Sequence, residues 1–597
     1  MAAPTNAEIG ALLREIALFL EMDDVPFKPR AYEKAATSVE IHDVPCGELH
    51  RAGGVKALAG IPGVGQSIAE KIGELLTTGT IAYHAKLRAR TPVDVAALTT
   101  IEGIGPKGVK ALYQAVGVTD LASLEAAALA GKIRTLPRFG AKSEEKILRG
   151  IAFAKQRYGR RLLGDVLPLA RDIEARVAAL AGVERAMLAG SIRRRRETVG
   201  DADLLVVARR PRPIMDFIAG LPEVTRVLAR GEGKTSVKLA NGLQMDVRVV
   251  PRKSFGAALH YFTGSKAHNV LLRQLAIKKG LKLNEYGVFR GETAIAGRTE
   301  EDVYAALDLP YIAPELREDR GEIDAARAGR LPDLIEHGAL CGDLQTQTTW
   351  TDGADTLEAM IAEAQRLGLA YIAITDHTRD LAMTFGSDEA KIREQGAAID
   401  RLNASGRRIR VLKGAEVNIR RDGTLDIADE TLAELDVVGI AVHSHFNLSR
   451  AEMTARVIRA MHNPHADILF HPTGRKLQQR EPFDIDLDAV IETARATGTV
   501  LELDAYPDRL DLKDEHVRKA LAAGVKIVID SDAHATAHLQ FPDAYGIDQA
   551  RRGWARREDV LNAQPLDRFL AGLKSPPVRN AGTTRARQAR PRARVRT

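Results

Sequence analysis

Apolar positions in the first stretch of the chain recur at helical spacing: in AEIGALLREIALFLEM, Ile9, Leu12, Leu13, Ile16, Phe19 and Leu20 share one face. Three segments then repeat an apolar residue, a turn carrying glycine and an amphipathic helix: LAGIPGVGQSIAEKI, LTTIEGIGPKGVKAL and IRTLPRFGAKSEEKIL. From Ala186 the pattern changes to strands (AMLAGS, DADLLVVA, SVKLA, LQMDVRVV) mixed with helices. Residues 310–334, dense in charge and punctuated by proline, predict an inter-domain linker. Beyond them the runs YIAITDH, RVLKGAEVNI, VVGIAVHSH, ADILFHPTG, TVLELDAYP and KIVIDSDAH alternate with helical stretches. Val/Ile/Leu strands spaced by helices predict a parallel sheet covered on both faces, and this many units predict a barrel.

With 597 residues the chain has room for roughly three to five domains. Its net charge of +7 conceals an asymmetry: residues 1–320 carry an excess of 11 positive charges, residues 321–574 an excess of 11 negative ones, and the last 23 residues seven arginines and no acid. A basic front and a basic tail fit a polyanion, nucleic acid being the simplest, whereas the acidic middle fits a cation-binding enzyme. The tail has too few apolar residues to build a core and predicts a disordered basic arm. Cys46 and Cys341 lie too far apart for a disulfide framework or a metal knuckle. No apolar run approaches the ~18 residues of a membrane span, and the N-terminus shows no basic-then-apolar leader, so a cytoplasmic protein without membrane contact is expected.

Gly63 and Gly65 in IPGVG, and Gly103 and Gly105 in IEGIG, let backbone N–H groups turn outward just before a helix N-terminus, an arrangement that favours a phosphate oxygen. This is the helix-hairpin-helix pattern, which grips the DNA backbone without reading bases; a single copy also serves as a plain tight turn between packed helices. In AGSIRRRRETVGDADLLVV, Asp201 and Asp203 alternate along a strand and so share a face, and Asp246 lies on a later strand able to pair beside it. Three such acids repel one another unless divalent cations lie between them, and two such ions serve in-line phosphoryl transfer. Gly190 and Ser191 bring backbone and hydroxyl close to a triphosphate, with Arg194 adding charge. A lone pair of alternating aspartates is also what an exposed strand edge produces.

Through these motifs residues 1 to about 315 resemble the family-X, polymerase-beta-like DNA polymerases. The resemblance implies Asp201, Asp203 and Asp246 as the metal triad, with Mg2+, and Ser191 and Arg194 on the incoming triphosphate. YFTGSKAHN resembles the family's nucleotide-holding segment, implying Tyr261, Phe262 and Gly264 beside the sugar, Asn269 toward the base and Arg273 near the template. Crowding of a 2′-OH by the 261–264 backbone implies a preference for dNTPs; taken alone, this stretch reads as a helix start capped by Thr263 or Ser265. The N-terminal region resembles the family's lyase domain, implying Lys71 as the Schiff-base lysine and Lys28 and Tyr32 as 5′-phosphate and positioning groups. Ser67 stands where a further lysine often does, which weakens that environment.

Ten of the fifteen histidines fall between residues 337 and 538, several at the ends of expected strands. Ends of parallel barrel strands converge on one rim, so His377, Glu416, His443, His471, Asp532 and His534 can meet there and suit zinc or manganese. About 338–572 resembles the PHP (polymerase and histidinol phosphatase) domain through TDH, GAEVN, AVHSHF, FHPTG and SDAH. That resemblance implies as ligands Asp352, His377, Glu416, His443, His471, Asp532 and His534, with Mn2+ or Zn2+, and leaves His445 open as a substitute for His443. The first PHP motif offers two alternating histidines to one metal, and here both positions are glutamines, Gln345 and Gln347. An amide carbonyl is a far weaker ligand than imidazole, so that ion is expected to bind poorly, with Glu416 and Asp532 left as its anchors. Two neighbouring positions remain, one through Glu416, His443 and His471 and one through Asp352, His377 and His534.

The expected architecture is multidomain α/β. It comprises a helical 5′-phosphate or lyase-like domain (1–90), a fingers-type helix-hairpin-helix domain (91–165), an α+β nucleotidyltransferase palm (166–250) and a thumb (251–315). A linker (316–337), a distorted (β/α)7 PHP barrel (338–572) and a basic tail (573–597) follow. The expected function is gap-filling DNA synthesis by a monomer acting on gapped or nicked DNA and dNTPs in repair, associated with the nucleoid when DNA-bound. The resemblance implies that the barrel adds Mn-dependent 3′–5′ exonuclease or AP-endonuclease chemistry, the alternative being a structural or impaired domain. Two alternatives stand beside it: a repair nuclease to which the polymerase fold delivers DNA, and a non-catalytic DNA-end scaffold.

Overall fold

The computed structural model describes residues 4–574 except 41, 43, 102, 138, 158, 382 and 383, and divides into two compact units, 1–158 and 159–597. The basic tail, from residue 575, lies outside the described residues.

The first unit is helical. Helix Asn6–Met22 starts in a capping box between Thr5 and Glu8 and buries Ile9, Leu13, Ile16, Phe19 and Leu20, the face its spacing predicts. In the first hairpin, Ile61 and Val64 are buried and Gly63 takes φ +80° between helices Cys46–Leu58 and Gln66–Thr78. The second repeats it, with Ile101 and Ile104 buried and Gly103 at φ +85° ahead of Pro106–Val116. Only glycine takes this conformation without strain. Gly65 and Gly105 occupy the N-cap positions of the following helices and offer no side-chain cap, so the first-turn N–H groups stay open to an outside acceptor. The third turn is degenerate as expected, and its Arg138 is outside the described residues.

The second unit opens with a five-stranded sheet: β1 (Val183–Ala189), β2 (Asp201–Ala208), β3 (Val224–Arg230), β4 (Lys234–Leu239) and β5 (Gln244–Val249), in the order β1-β2-β5-β4-β3. Strands β2 and β5 run parallel and the other pairs antiparallel. Even-numbered residues of β2 (Ala202, Leu204, Val206) enter a core with Met245 and Val247 of β5 and helices Leu163–Ala178 and Pro211–Ala219. Odd-numbered ones therefore face the other side, where Leu205 and Val207 pack on Phe255, Ala258 and Leu259 of helix Phe255–Thr263. The same alternation brings Asp201 and Asp203 out on the face that carries this helix.

Helices Phe255–Thr263 and Lys266–Lys278 and the antiparallel strands β6 (Lys282–Asn284), β7 (Gly287–Arg290) and β8 (Thr293–Ala296) surround a small core of Ala257, Leu272, Ala276, Val288, Val303 and Tyr304. The segment expected to be a linker departs from that expectation: it folds into a short 3-10 turn and the helix Glu322–Arg327. It also buries Leu316, Arg317, Glu322 and Ile335. Its dense charge reads as solvated, yet the charges are paired internally, Arg317 with Glu300 and Glu322 with His268.

Seven parallel strands follow in chain order: β9 (Gly342–Asp343), β10 (Tyr371–Ile374), β11 (Arg410–Asn418), β12 (Val437–Ala441), β13 (Ile468–Leu469), β14 (Val500–Asp504) and β15 (Ile527–Asp530). A bridge between Thr346 and Ala533 joins the two ends of this sheet, so the barrel is nearly closed. Leu510 and Tyr545 of the barrel share the core of Leu163 and Val166, which fuses the barrel to the five-stranded sheet. Among the described residues no helix is long and apolar enough to cross a membrane.

Candidate active sites

In the parallel register of β2 and β5, Asp203 sits directly beside Asp246 and Asp201 beside Gln244. All three acids thus emerge from one face at one end of the sheet. Burial pushes the Asp203 carboxyl up to about 6, with the charges of Asp201 and Asp246 adding to it and those of Arg248 and Lys234 opposing. Burial works the same way on Asp246, but hydrogen bonds from Lys234, Ser236 and Gln244 outweigh it and hold that carboxyl low. Lys234 Nζ lies 2.7 Å and Arg248 3.3 Å from Asp246, and Gln244 Nε2 donates to it at 3.2 Å. An all-carboxylate donor set under mutual repulsion suits hard divalent ions.

Gly190, at φ +69°, begins the short helix Gly190–Arg193, and a Cβ there would come 3.4 Å from Asp203 Oδ2. Any side chain at this position crowds the acids. Ser191 is the next residue of that helix. Arg194 reaches across to the carbonyl of Thr263 and donates to Glu318 at 3.0 Å, so its guanidinium is held against the end of helix Phe255–Thr263. A Cβ at Gly264 would come 3.1 Å from that guanidinium, which explains the glycine. Tyr261 is exposed and packs edge-on against Phe262, over which Arg248 stacks at 4.7 Å. Asn269 is buried and donates to the Tyr261 carbonyl at 2.8 Å, and its Oδ1 has no partner. Arg273 donates to the Asn269 carbonyl at 3.4 Å. The helix that starts here is capped by Ser265, whose hydroxyl accepts from His268 N; Thr263 instead accepts from Arg193.

In the first unit Lys71 Nζ donates to the carbonyl and hydroxyl of Ser67, each at 3.0 Å, and lies 5.5 Å from the Tyr83 ring centroid. Lys28 is exposed at the start of its helix, whereas Tyr32 is buried in the core. Burial, with Tyr83 beside it, pushes the Tyr32 phenol up to about 12. Tyr32 thereby packs the helix that carries Lys28.

The barrel rim gathers the expected ligands. His443 Nε2 and His471 Nε2 approach the same Glu416 oxygen at 3.0 and 2.9 Å, and His377 approaches the other at 3.4 Å. Asp352 lies 3.7 Å from both His377 and His534. Two groups could each hold an ion: Asp352, His377 and His534, and His377, Glu416 and His443. Glu416 is fully buried, which opposes its charge, but His377, His443 and His471 prevail and hold it well below the ordinary carboxylate range. His534 loses charge to burial and regains it from Asp352 and Asp532, which push it up to about 9. Between the alternatives left open, His443 is the inward one; His445 is exposed.

The glutamines break the pattern. Gln347 turns its amide nitrogen, not its oxygen, to Glu416 at 2.8 Å, and both amide atoms of Gln345 are buried without partners. Asp532, the remaining anchor beside them, is taken by Arg509, which lies 3.2 Å from both Asp532 and Asp504. A guanidinium on the carboxylate and an N–H on the glutamate do not fit a third ion.

Several residues that hold this site carry only weak signals in the sequence. Asn418 accepts from His443 Nδ1 at 2.7 Å and so aims Nε2 at Glu416; it closes the GAEVN motif, the one cue available. Asp376 of TDH accepts from Thr348, Thr351 and Gln395 and anchors the loop bearing Asp352. Lys234 and Arg509 sit in unremarkable strand and loop contexts and offer no cue, whereas Arg248, two residues beyond Asp246 on one strand, shares its face by alternation alone.

Comparison with known proteins identifies the family and several of the domains. The pattern of the DNA polymerase beta thumb matches residues 258–318, a helix-hairpin-helix domain 4–81, a SAM-like helix-hairpin-helix tandem 95–152 and the PHP domain 343–507. The chain is similar to the DNA polymerase/3'-5' exonuclease PolX of Bacillus subtilis (strain 168), 37% identical over 572 residues that span 95% of this chain and 99% of that one. It is also similar to DNA polymerase lambda of Rattus norvegicus, 25% identical over 351 residues, 52% of this chain and 56% of the relative. A probable phosphatase of Syntrophotalea carbinolica is 32% identical over 151 residues, 25% of this chain and 58% of its own length.

Proposed function

This chain belongs to the family-X DNA polymerases that carry a PHP domain, and from that premise we propose that it adds dNMP units to a primer 3′-OH in short gaps of DNA under repair. The observation that carries the reading is the side-by-side register of Asp203 and Asp246 with Asp201 on the same face. These three acids would hold two divalent ions, Mg2+ being the ion of this reading. Bound there, the ions supply Lewis acidity and charge neutralisation at the reacting phosphate.

The protein's own part is placement. Gly190 leaves room for a triphosphate beside Asp203, Ser191 offers its hydroxyl, and Arg194 offers charge from the Thr263–Gly264 corner. Tyr261, Phe262 and Gly264 line the sugar and disfavour a 2′-OH. In this reading Asn269 serves the base and Arg273 the template, both from the helix Lys266–Lys278. The hairpins at Gly63, Gly65, Gly103 and Gly105 grip DNA phosphates on open helix N-termini, and Lys28 assists at a 5′-phosphate. Lys71 is the candidate Schiff-base lysine of a 5′-deoxyribose phosphate lyase step. The protein acts as a cytoplasmic, nucleoid-associated monomer on gapped or nicked DNA.

The PHP barrel in this reading is a weakened Mn- or Zn-dependent phosphodiesterase, of the 3′–5′ exonuclease or AP-endonuclease kind. Two cation positions support that reading, one at Asp352, His377 and His534 and one at His377, Glu416 and His443, with His471 Nε2 on Glu416 beside the second rather than within it. The position at Gln345, Gln347 and Asp532 does not, which argues against a nuclease to which the polymerase fold merely delivers DNA.

The test is extension of a primer across a one-nucleotide gap bearing a 5′-phosphate, with dNTP or rNTP and Mg2+. The expected result is insertion of one dNMP at an efficiency at least about tenfold above that for the matching rNMP. Absence of insertion on gapped DNA, with manganese-dependent digestion intact, would reverse the assignment in favour of the nuclease.

A further inference from the structure

The run Arg193–Arg196 has the composition of a free basic patch, yet every one of its guanidinium groups faces a carboxylate from another part of the chain. Arg193 pairs with Glu300 at 2.6 Å, Arg194 with Glu318 at 3.0 Å, Arg195 with Asp548 at 3.1 Å and Arg196 with Glu318 at 3.8 Å. One of these contacts, Arg195 to Asp548, reaches a short element of the barrel domain, the helix Ile547–Arg552, whose last residue Arg552 meets Glu318 as well.

Arg552 is buried, with 2% of its side chain exposed. Its Nη1 donates to Glu318 Oε1 at 3.0 Å and to the backbone carbonyl of Arg194 at 2.7 Å, and its Nη2 donates to Asp514 Oδ2 at 2.6 Å. Arg194 Nε donates to that same Glu318 oxygen. One carboxylate oxygen thus joins a guanidinium of the barrel to the guanidinium beside Thr263 and Gly264. Asp514, which holds Arg552 from behind, is braced by Arg320 at 3.0 Å. Such a buried chain has few alternative geometries, because each charge displaced leaves its partner unpaired in a poor solvent. A planar guanidinium contacts all three acceptors at once; an ammonium on a flexible stem does not reproduce that fork.

We propose that Arg552 of the PHP barrel is a positioning residue for the polymerase reaction: through Glu318 and the Arg194 backbone it sets the Arg194 guanidinium at the corner where the dNTP triphosphate binds. The proposal rests on the reading of Arg194 as a triphosphate contact. It gives the barrel a task independent of its metal ligands, and so a reason for an impaired metal centre to stay joined to the polymerase.

The experiment is steady-state gap filling by the full-length protein, measuring kcat and the KM for dNTP in Arg194→Ala, Arg552→Met, Arg552→Lys and the double variant Arg194→Ala/Arg552→Met. Arg552→Met is expected to raise the dNTP KM roughly tenfold with kcat within about threefold. Arg552→Lys should fall between it and the parent, and Arg552→Met should have no further effect once Arg194 is alanine, since the two act on one contact. Should Arg552→Met fail to fold, as read by thermal unfolding and gapped-DNA affinity, Glu318→Met removes the shared acceptor at similar volume and carries the same expectation. A parental KM in Arg552→Met, or KM increases that multiply in the double variant, overturns the proposal while leaving the role of Arg194 intact. A parental KM in Arg194→Ala overturns the triphosphate reading, and the proposal with it.

Discussion

Asp203→Asn lowers dNMP incorporation roughly a thousandfold while leaving affinity for gapped DNA within about threefold, an expected loss of about 4 kcal/mol in the transition state. The size follows from position. Asp203 is the middle acid of the three, beside Asp246 in register and one alternation along the strand from Asp201. Burial and two carboxylate neighbours have raised it to about 6, so it gains most from cations placed beside it. Asparagine keeps the volume and removes the charge, which separates charge from packing. Manganese-dependent hydrolysis by the barrel supplies the control: in the proposed reading it runs through Glu416 and the histidines around it, and it is expected to be unchanged.

The second large effect lies in the barrel. The double variant Gln345→His/Gln347→His is expected to bind one more manganese ion per chain than the parent and to hydrolyse single-stranded DNA roughly tenfold faster, as read by metal mass spectrometry and nuclease assay. In the parent, Gln347 presents an N–H to Glu416 and Arg509 pairs with Asp532, so both anchors of this position are already satisfied by hydrogen-bond donors. Two imidazoles reverse the sign at the first anchor and compete with the guanidinium at the second. Unchanged metal content in the variant, or a third tightly bound ion in the parent, would show that the glutamines do not limit this centre.

The two sites differ in how far they could be read from the amino-acid sequence. Asp201 and Asp203 are legible because strand alternation alone puts them on one face. Asp246 needed a pairing with a residue 43 positions earlier, Asp203, which local pattern can only allow; the parallel register of β2 and β5 supplies it. The barrel histidines are legible as strand ends, since parallel strands deliver their C-terminal residues to one rim. The choice between His443 and His445 is not, because it depends on the turn after β12. Long-range charge pairing defeats local reading most thoroughly. Arg317, Glu322 and the arginine run have the composition of solvated surface, and their partners lie far along the chain or across a domain. The same limit hid Lys234, which pairs with Asp246 from the neighbouring strand, and Arg509, which holds Asp532; Arg248 was within reach of local reading, since it follows Asp246 by two residues on one strand.

The central claim is that Asp201, Asp203 and Asp246 together hold paired divalent ions at the site of nucleotide addition. Its most direct test is anomalous diffraction from crystals of the full chain on gapped DNA, soaked with manganese and a nonhydrolysable dNTP. Two peaks about 4 Å apart are expected between the three carboxylates, with the triphosphate beside Gly190 and Arg194. Manganese confined to the barrel, with no peak within bonding reach of Asp203 and Asp246, would contradict it.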